Sequence, residues 1–196
     1  MVSATVERSL LDAVLGDSAP DGGSPVETAA SDLMAAVALT KLLGAAPADD
    51  GHGQQVGHGQ QVGRATGQLD ARIRAALGTL LSAQREKDGG WSWSAGAGAA
   101  DRYVTARVLW ALGLASQAGY AVPREVREKA LDCSASQWAA LADDDYESKA
   151  MLLYARCVAG ERDFEPANGL YRLRASLPAA ALLHLALAML EMERPA

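Results

Sequence analysis

The chain has 196 residues, a formal net charge of −6 and a hydrophobic fraction of 49%, carried by Ala and Leu rather than by aromatic or β-branched residues. That length suits one domain with a sizeable core, and that composition favours helix. An acidic chain with a pI of about 5.0 and no basic patch argues against a nucleic-acid partner, and two cysteines, Cys133 and Cys157, exclude a disulfide scaffold or a Cys-rich zinc module.

Val6, Leu10, Leu11 and Val14 fall on one face of a helix over roughly 3–15, in a stretch whose Glu7, Arg8 and Asp12 exclude a leader-type apolar run. Asp17 to Gly23 is a loop. Ser24-Pro25-Val26-Glu27 predicts a helix start, with Ser24 as cap, Pro25 in the first turn and Glu27 completing a capping box. The helix that follows is apolar on nearly every side and stops at Gly44. Residues 45–68 hold the tandem "GHGQQVGHGQQV" and predict a flexible linker. His52 and His58 are two ligands of one type among glycines with no other ligand nearby, so no metal site is expected there.

Leu69, Ile73, Ala76, Leu77, Leu80 and Leu81 resume helical periodicity as one amphipathic stripe. Asp101 is placed to cap a helix over 102–118, largely apolar all round, with Gly119 as its terminator. Residues 124–141 predict a second amphipathic helix and 146–158 another apolar one, ended by Gly160. A short piece over 166–175 precedes a last helix that Pro178 opens. Its apolar run, Pro178 to Leu190, is too short to span a bilayer, so no membrane insertion is expected.

Amphipathic and apolar helices therefore alternate. A helix wet on one face lies outside, and one apolar all round must be covered on most sides. The alternation predicts an all-α fold of stacked helical hairpins, either a curved solenoid or a closed α/α barrel. The domain reading is an N-terminal helical hairpin over 1–44, the linker over 45–68 and a helical-hairpin domain over 69–196.

The stretch "LLSAQREKDGGWSW" is similar to the glutamine-tryptophan repeat of terpenoid cyclases and prenyltransferases, which fold as α/α toroids. "DRYVTARVLWALGLASQAGYAVP" resembles the corresponding part of bacterial alpha-2-macroglobulin-like proteins, where a Tyr-x-Thr-Ala helix leads into an Ala-Gly-Tyr-x-Val turn. "ESKAMLLYARCVAGE" and "NGLYRLRASLPAAALLHLALAML" resemble the next segments of that domain, and the likeness covers roughly Gln68 to Leu190. It implies a small or partial toroid, a location at the cell envelope or outside the cell, and protein partners: other domains of a larger chain, or a peptidase. The chain departs from the pattern in three ways. One extra residue separates Gln84 from Gly89-Gly90-Trp91, which implies a bulge at Glu86-Lys87. Three to four hairpins stand where the ring has six. The thioester motif Cys-Gly-Glu-Gln is absent, since "GHGQQ" carries His52 or His58 in place of the cysteine.

Gln84, Asp88, Gly89, Gly90, Trp91 and Trp93 form the most concentrated motif. As structure, the Gln amide satisfies backbone groups at a helix end, the glycines permit a tight turn and the indoles cover a hairpin. As function, the same aromatics line a ligand pocket, with Tyr103 and Trp110 as further candidate binding residues. Asp143-Asp144-Asp145 suits a helix start or a hard cation, and its spacing is not the Asp-x-Asp-Asp of cyclases. Asp132, Cys133 and His184 supply zinc ligand types without a recognisable context. Whether Cys133 and Cys157 pair is open. The reading is a non-catalytic structural or protein-interaction domain without a cofactor or thioester. The alternatives are an enzyme of the terpenoid cyclase or prenyltransferase type, and a carbohydrate- or peptide-binding solenoid using Trp91, Trp93 and Tyr103.

Overall fold

The computed structural model describes residues 24–45, 55–93 and 98–193. Among these are seven α-helices and no strand: α1 (Pro25–Ala45), α2 (Gln55–Ser82), α3 (Arg102–Gln117), α4 (Arg124–Ala139), α5 (Tyr146–Val158), α6 (Phe164–Arg172) and α7 (Ala179–Glu193). The all-α expectation holds. The expected helix over 3–15 lies outside the described residues, as does His52.

Two local expectations are corrected. Helix α2 begins at Gln55, so residues 55–68, expected in the linker, have helical backbone. Nucleating a helix is costly but extending one is not. A helix held by the strong stripe from Leu69 onward can therefore extend into a weaker flank. The capping box at α1 does not form either. The Ser24 hydroxyl is buried without a hydrogen-bond partner, while Glu27 turns away towards Arg107 on α3, 3.9 Å distant. Elsewhere the end signals work. The Asp101 carboxylate caps α3 by accepting from the N–H groups of Tyr103 and Val104, and Asp145 caps α5 through Ser148. Gly119 and Gly160 follow α3 and α5 with φ of 88° and 98°.

The alternation read from the sequence becomes two layers. Helices α1, α3, α5 and α7 pack on one another in that order, and α2, α4 and α6 lie across the gaps between them. The inner helices run parallel. At one end Arg107 reaches Glu27, and the hydroxyls of Tyr103 and Ser148 approach to 3.5 Å. At the other end the Gln117 amide donates to the carbonyl of Val158 (3.2 Å) and to the Glu191 carboxylate (3.3 Å), tying the C-terminal turns of α3, α5 and α7 together. The outer helices are wetter, and α4 buries only Ala130, Cys133 and Ser134. One apolar cluster runs from α1 through α5, including Leu33, Ile73, Trp91, Leu109 and Leu152. A second joins α5, α6 and α7. Trp110, Leu114 and Trp138 touch both.

Close packing of α3 on α5 depends on Gly113. A Cβ there would lie 2.7 Å from the Val158 carbonyl oxygen, which is backbone and cannot swing aside. In an open helix, replacing Gly by Ala stabilises by up to about 1 kcal/mol. Here the sign reverses: Gly113→Ala is expected to destabilise by about 1–3 kcal/mol in a denaturant melt.

Candidate functional site

The Gln84–Trp93 segment turns the chain from α2 into α3, and its parts divide between two tasks. The turn closes on itself, the Gly89 N–H donating to the Arg85 carbonyl (2.9 Å) and the Arg85 N–H to the Gly90 carbonyl (3.0 Å). Glu86 and Lys87, where a bulge is expected, form the exposed tip of the turn. The Gln84 amide donates to the carbonyls of Gly89 and of Val126 on α4, both at 2.8 Å. It therefore binds the turn to the next outer helix. Gly89 has φ of 72°, and both glycines lie in tight quarters: a Cβ at Gly90 would meet Ala100, Cys133 and Thr105 at 2.6–2.8 Å.

Asp88 organises the turn's polar side. Its carboxylate accepts from the Arg85 guanidinium (3.0 Å to each oxygen) and from the N–H groups of Gly90 (3.3 Å) and Ala100 (3.2 Å). Burial pushes its pKa up, but the Arg85 guanidinium and the two N–H donors outweigh this, and the net shift is downward.

Trp91 and Trp93 part company. Trp91 is fully buried; its indole N–H donates to the Leu80 carbonyl in the last turn of α2 (2.8 Å). Its backbone N–H donates to the Thr105 hydroxyl (3.1 Å), and its carbonyl accepts from the Asp101 N–H (2.7 Å). Trp91 thus pins α2 to α3. Thr105, the threonine of the Tyr-x-Thr-Ala stretch, is itself fully buried; its sequence signal is a lone hydroxyl on an otherwise apolar helix face one turn past the cap. Trp93 is 49% exposed and lines a recess.

That recess has a volume of about 350 Å³. Its walls come from all four inner helices: Glu27 and Ala30 on α1, Tyr103, Val104, Arg107 and Trp110 on α3, Met151 and Ala155 on α5, and His184 on α7. Both further candidates, Tyr103 and Trp110, are there. Tyr103 is 44% exposed, and Trp110 is half-buried with its ring edge-on to Tyr154, centroids 4.9 Å apart. No local sequence pattern signals that Glu27, Arg107 and Met151 meet here, because they come from separate helices brought to one point. His184, half-buried with its ring 6.1 Å from that of Tyr154, has its pKa lowered by burial, against weaker opposing effects of the Ala180 carbonyl and the Glu147 charge.

The remaining candidates are dispersed. Asp145 is a helix cap that also meets Arg102 at 3.3 Å. Cys133 and Cys157 are both free and buried, and burial raises each thiol to about 11. Among the described residues no three His, Cys, Asp or Glu side chains gather as a metal site, and Asp132, Cys133 and His184 do not form one. No described helix is long and apolar enough to cross a membrane.

Fold and site together define an all-α, two-layer stack of helical hairpins with parallel inner helices and an aromatic-lined recess. No protein-family model and no curated protein matches the chain. Among solved structures, E. coli alpha-2-macroglobulin in its native conformation matches with a TM-score of 0.64 at 17% identity, over 95% of this chain and 11% of that one. The native E. coli protein from domain MG7 to the C-terminus gives the same TM-score and identity, over 95% of this chain and 28% of that one. The chain therefore has the fold of a segment of an alpha-2-macroglobulin.

Trp91→Ala is expected to cost roughly 3–5 kcal/mol in a denaturant melt, because it opens a core cavity and orphans a carbonyl. Trp93→Ala should stay within about 0.5 kcal/mol of the parent. Because the Asp88 pKa is depressed on folding, its stabilisation is present above the unfolded value of 3.8 and disappears as pH falls through the folded value. The stability gap between the parent and Asp88→Asn should be largest at neutral pH and close progressively below 3.8 in acid titrations of the melt.

Proposed function

We propose that the chain is a toroid-type helical unit of an alpha-2-macroglobulin-like protein, lacking a thioester and non-catalytic, that works by non-covalent contact with protein. Its partners on this reading are other domains of a larger chain or a peptidase, at the cell envelope or outside the cell. The fold shared over 95% of the chain with E. coli alpha-2-macroglobulin is the observation that carries it.

The chemistry of the described side chains supports the non-covalent half. A thioester of the Cys-Gly-Glu-Gln type joins the Cys sulfur to the acyl group of the Gln three residues on, and that position is Ser136 after Cys133 and Gly160 after Cys157. Both cysteines are buried with thiols raised to about 11, so neither offers a nucleophile near neutral pH. The acidic run 143–145, whose spacing already departs from the cyclase motif, spends Asp145 on a helix cap and an ion pair. A second reading, a binding surface, is supported by half-exposed Trp93 and Tyr103, which line the recess, whereas Trp91 is buried.

Intact-mass measurement under native conditions, before and after incubation with methylamine, tests the proposal. The expected result is the bare polypeptide mass in both spectra. A methylamine adduct would reveal a thioester, and a stoichiometric zinc ion would point to prenyltransferase-type chemistry; either overturns the reading.

A further inference from the structure

The concave recess has properties that a docking face for protein does not require. We propose that it is a binding site for a small, uncharged, predominantly apolar molecule carrying a ring. The volume of about 350 Å³ falls in the range of small-molecule sites, roughly 300–1,000 Å³. Four helices and the closing turn wall it, which gives enclosure rather than a flat contact surface.

Its lining sets the ligand's chemistry. Val104, Ala155 and Ala30 are buried apolar surface. Trp93 and Tyr103, half-exposed, and Trp110, half-buried, offer three rings against which a planar or cyclic body can stack or pack edge-on. Met151, on the α5 wall, is an adaptable thioether that suits an irregular apolar contact. The two charges on the lining have opposite sign and lie 3.9 Å apart, with Arg107 also donating to the Ser31 hydroxyl at 3.0 Å. Glu27 removes the attraction that Arg107 would hold for an anion, and Arg107 the attraction that Glu27 would hold for a cation. The pair therefore leaves the lining without net side-chain charge.

Titration with N-phenyl-1-naphthylamine, an uncharged fluorophore that joins a naphthalene to a phenyl ring, tests the site. Saturable binding of one probe per chain, unchanged by added salt, is expected. Trp93→Ala, at a half-exposed position, should weaken it about tenfold, equivalent to about 1.4 kcal/mol. Met151→Trp, which adds bulk from α5, should abolish it, and Phe164→Ala, an exposed aromatic away from the recess, should leave it unchanged. Circular-dichroism melts of each variant check the fold, and Trp93→Ala decides the outcome if Met151→Trp does not fold. Absence of saturable binding overturns the proposal, as does equal affinity in Trp93→Ala. So does a preference for the anionic probe 1-anilinonaphthalene-8-sulfonate that Arg107→Ala removes, because the site would then be one for anions.

Discussion

The indole of Trp91 sits where the long connection from α2 to α3 must be locked against its neighbouring helices. Its N–H satisfies a carbonyl that the end of α2 would otherwise bury unpaired, and its main chain is held by Thr105 and Asp101 at the start of α3. A buried polar backbone group left alone costs about as much as a lost hydrogen bond, so the ring has to bring the donor with it. Gln84 does the equivalent for Val126 on α4. Once these bonds fix α2, α3 and α4 relative to one another, the placement of α3 fixes α5 through the close approach at Gly113, and α5 carries α7.

This dependence separates scaffold from surface within a single short motif. Trp91 and Trp93 are two residues apart, but one belongs to the core and the other to the recess. The turn that locks the hairpin also presents an aromatic ring to the concave face, so the position of Trp93 is inherited from the burial of Trp91.

Most of the helical framework was legible because its signals are local. The span Tyr146–Val158 agrees residue for residue, and Asp101, Asp145, Gly119 and Gly160 end their helices as their side chains or positive φ require. The layering was legible for a similar reason, since wet and dry helices alternate along the chain. Two local signals misled. The glycines around 57–67 disguised a helix that extends from a strong neighbour, and Ser24 lost its capping partner when Glu27 turned to Arg107. The recess was legible only in part. Tyr103 and Trp110 stand out as aromatics on an apolar helix, whereas Glu27, Met151 and His184 meet them only through the parallel stacking of four helices.

That parallel stacking polarises the inner wall. Every peptide unit in α1, α3, α5 and α7 points the same way, so the partial positive charges of four N-termini gather at the Tyr103 end and the partial negative charges of four C-termini gather at the Gln117 end. Asp101 and Asp145 carry negative charge where the field is positive, as caps should. Glu191 carries it where the field is negative, buried and bonded to the Gln117 amide. The outer helices, returning in the opposite sense, cancel most of this at a distance. Close to the inner wall, the rim of helix N-termini and the rim of helix C-termini remain electrically unlike.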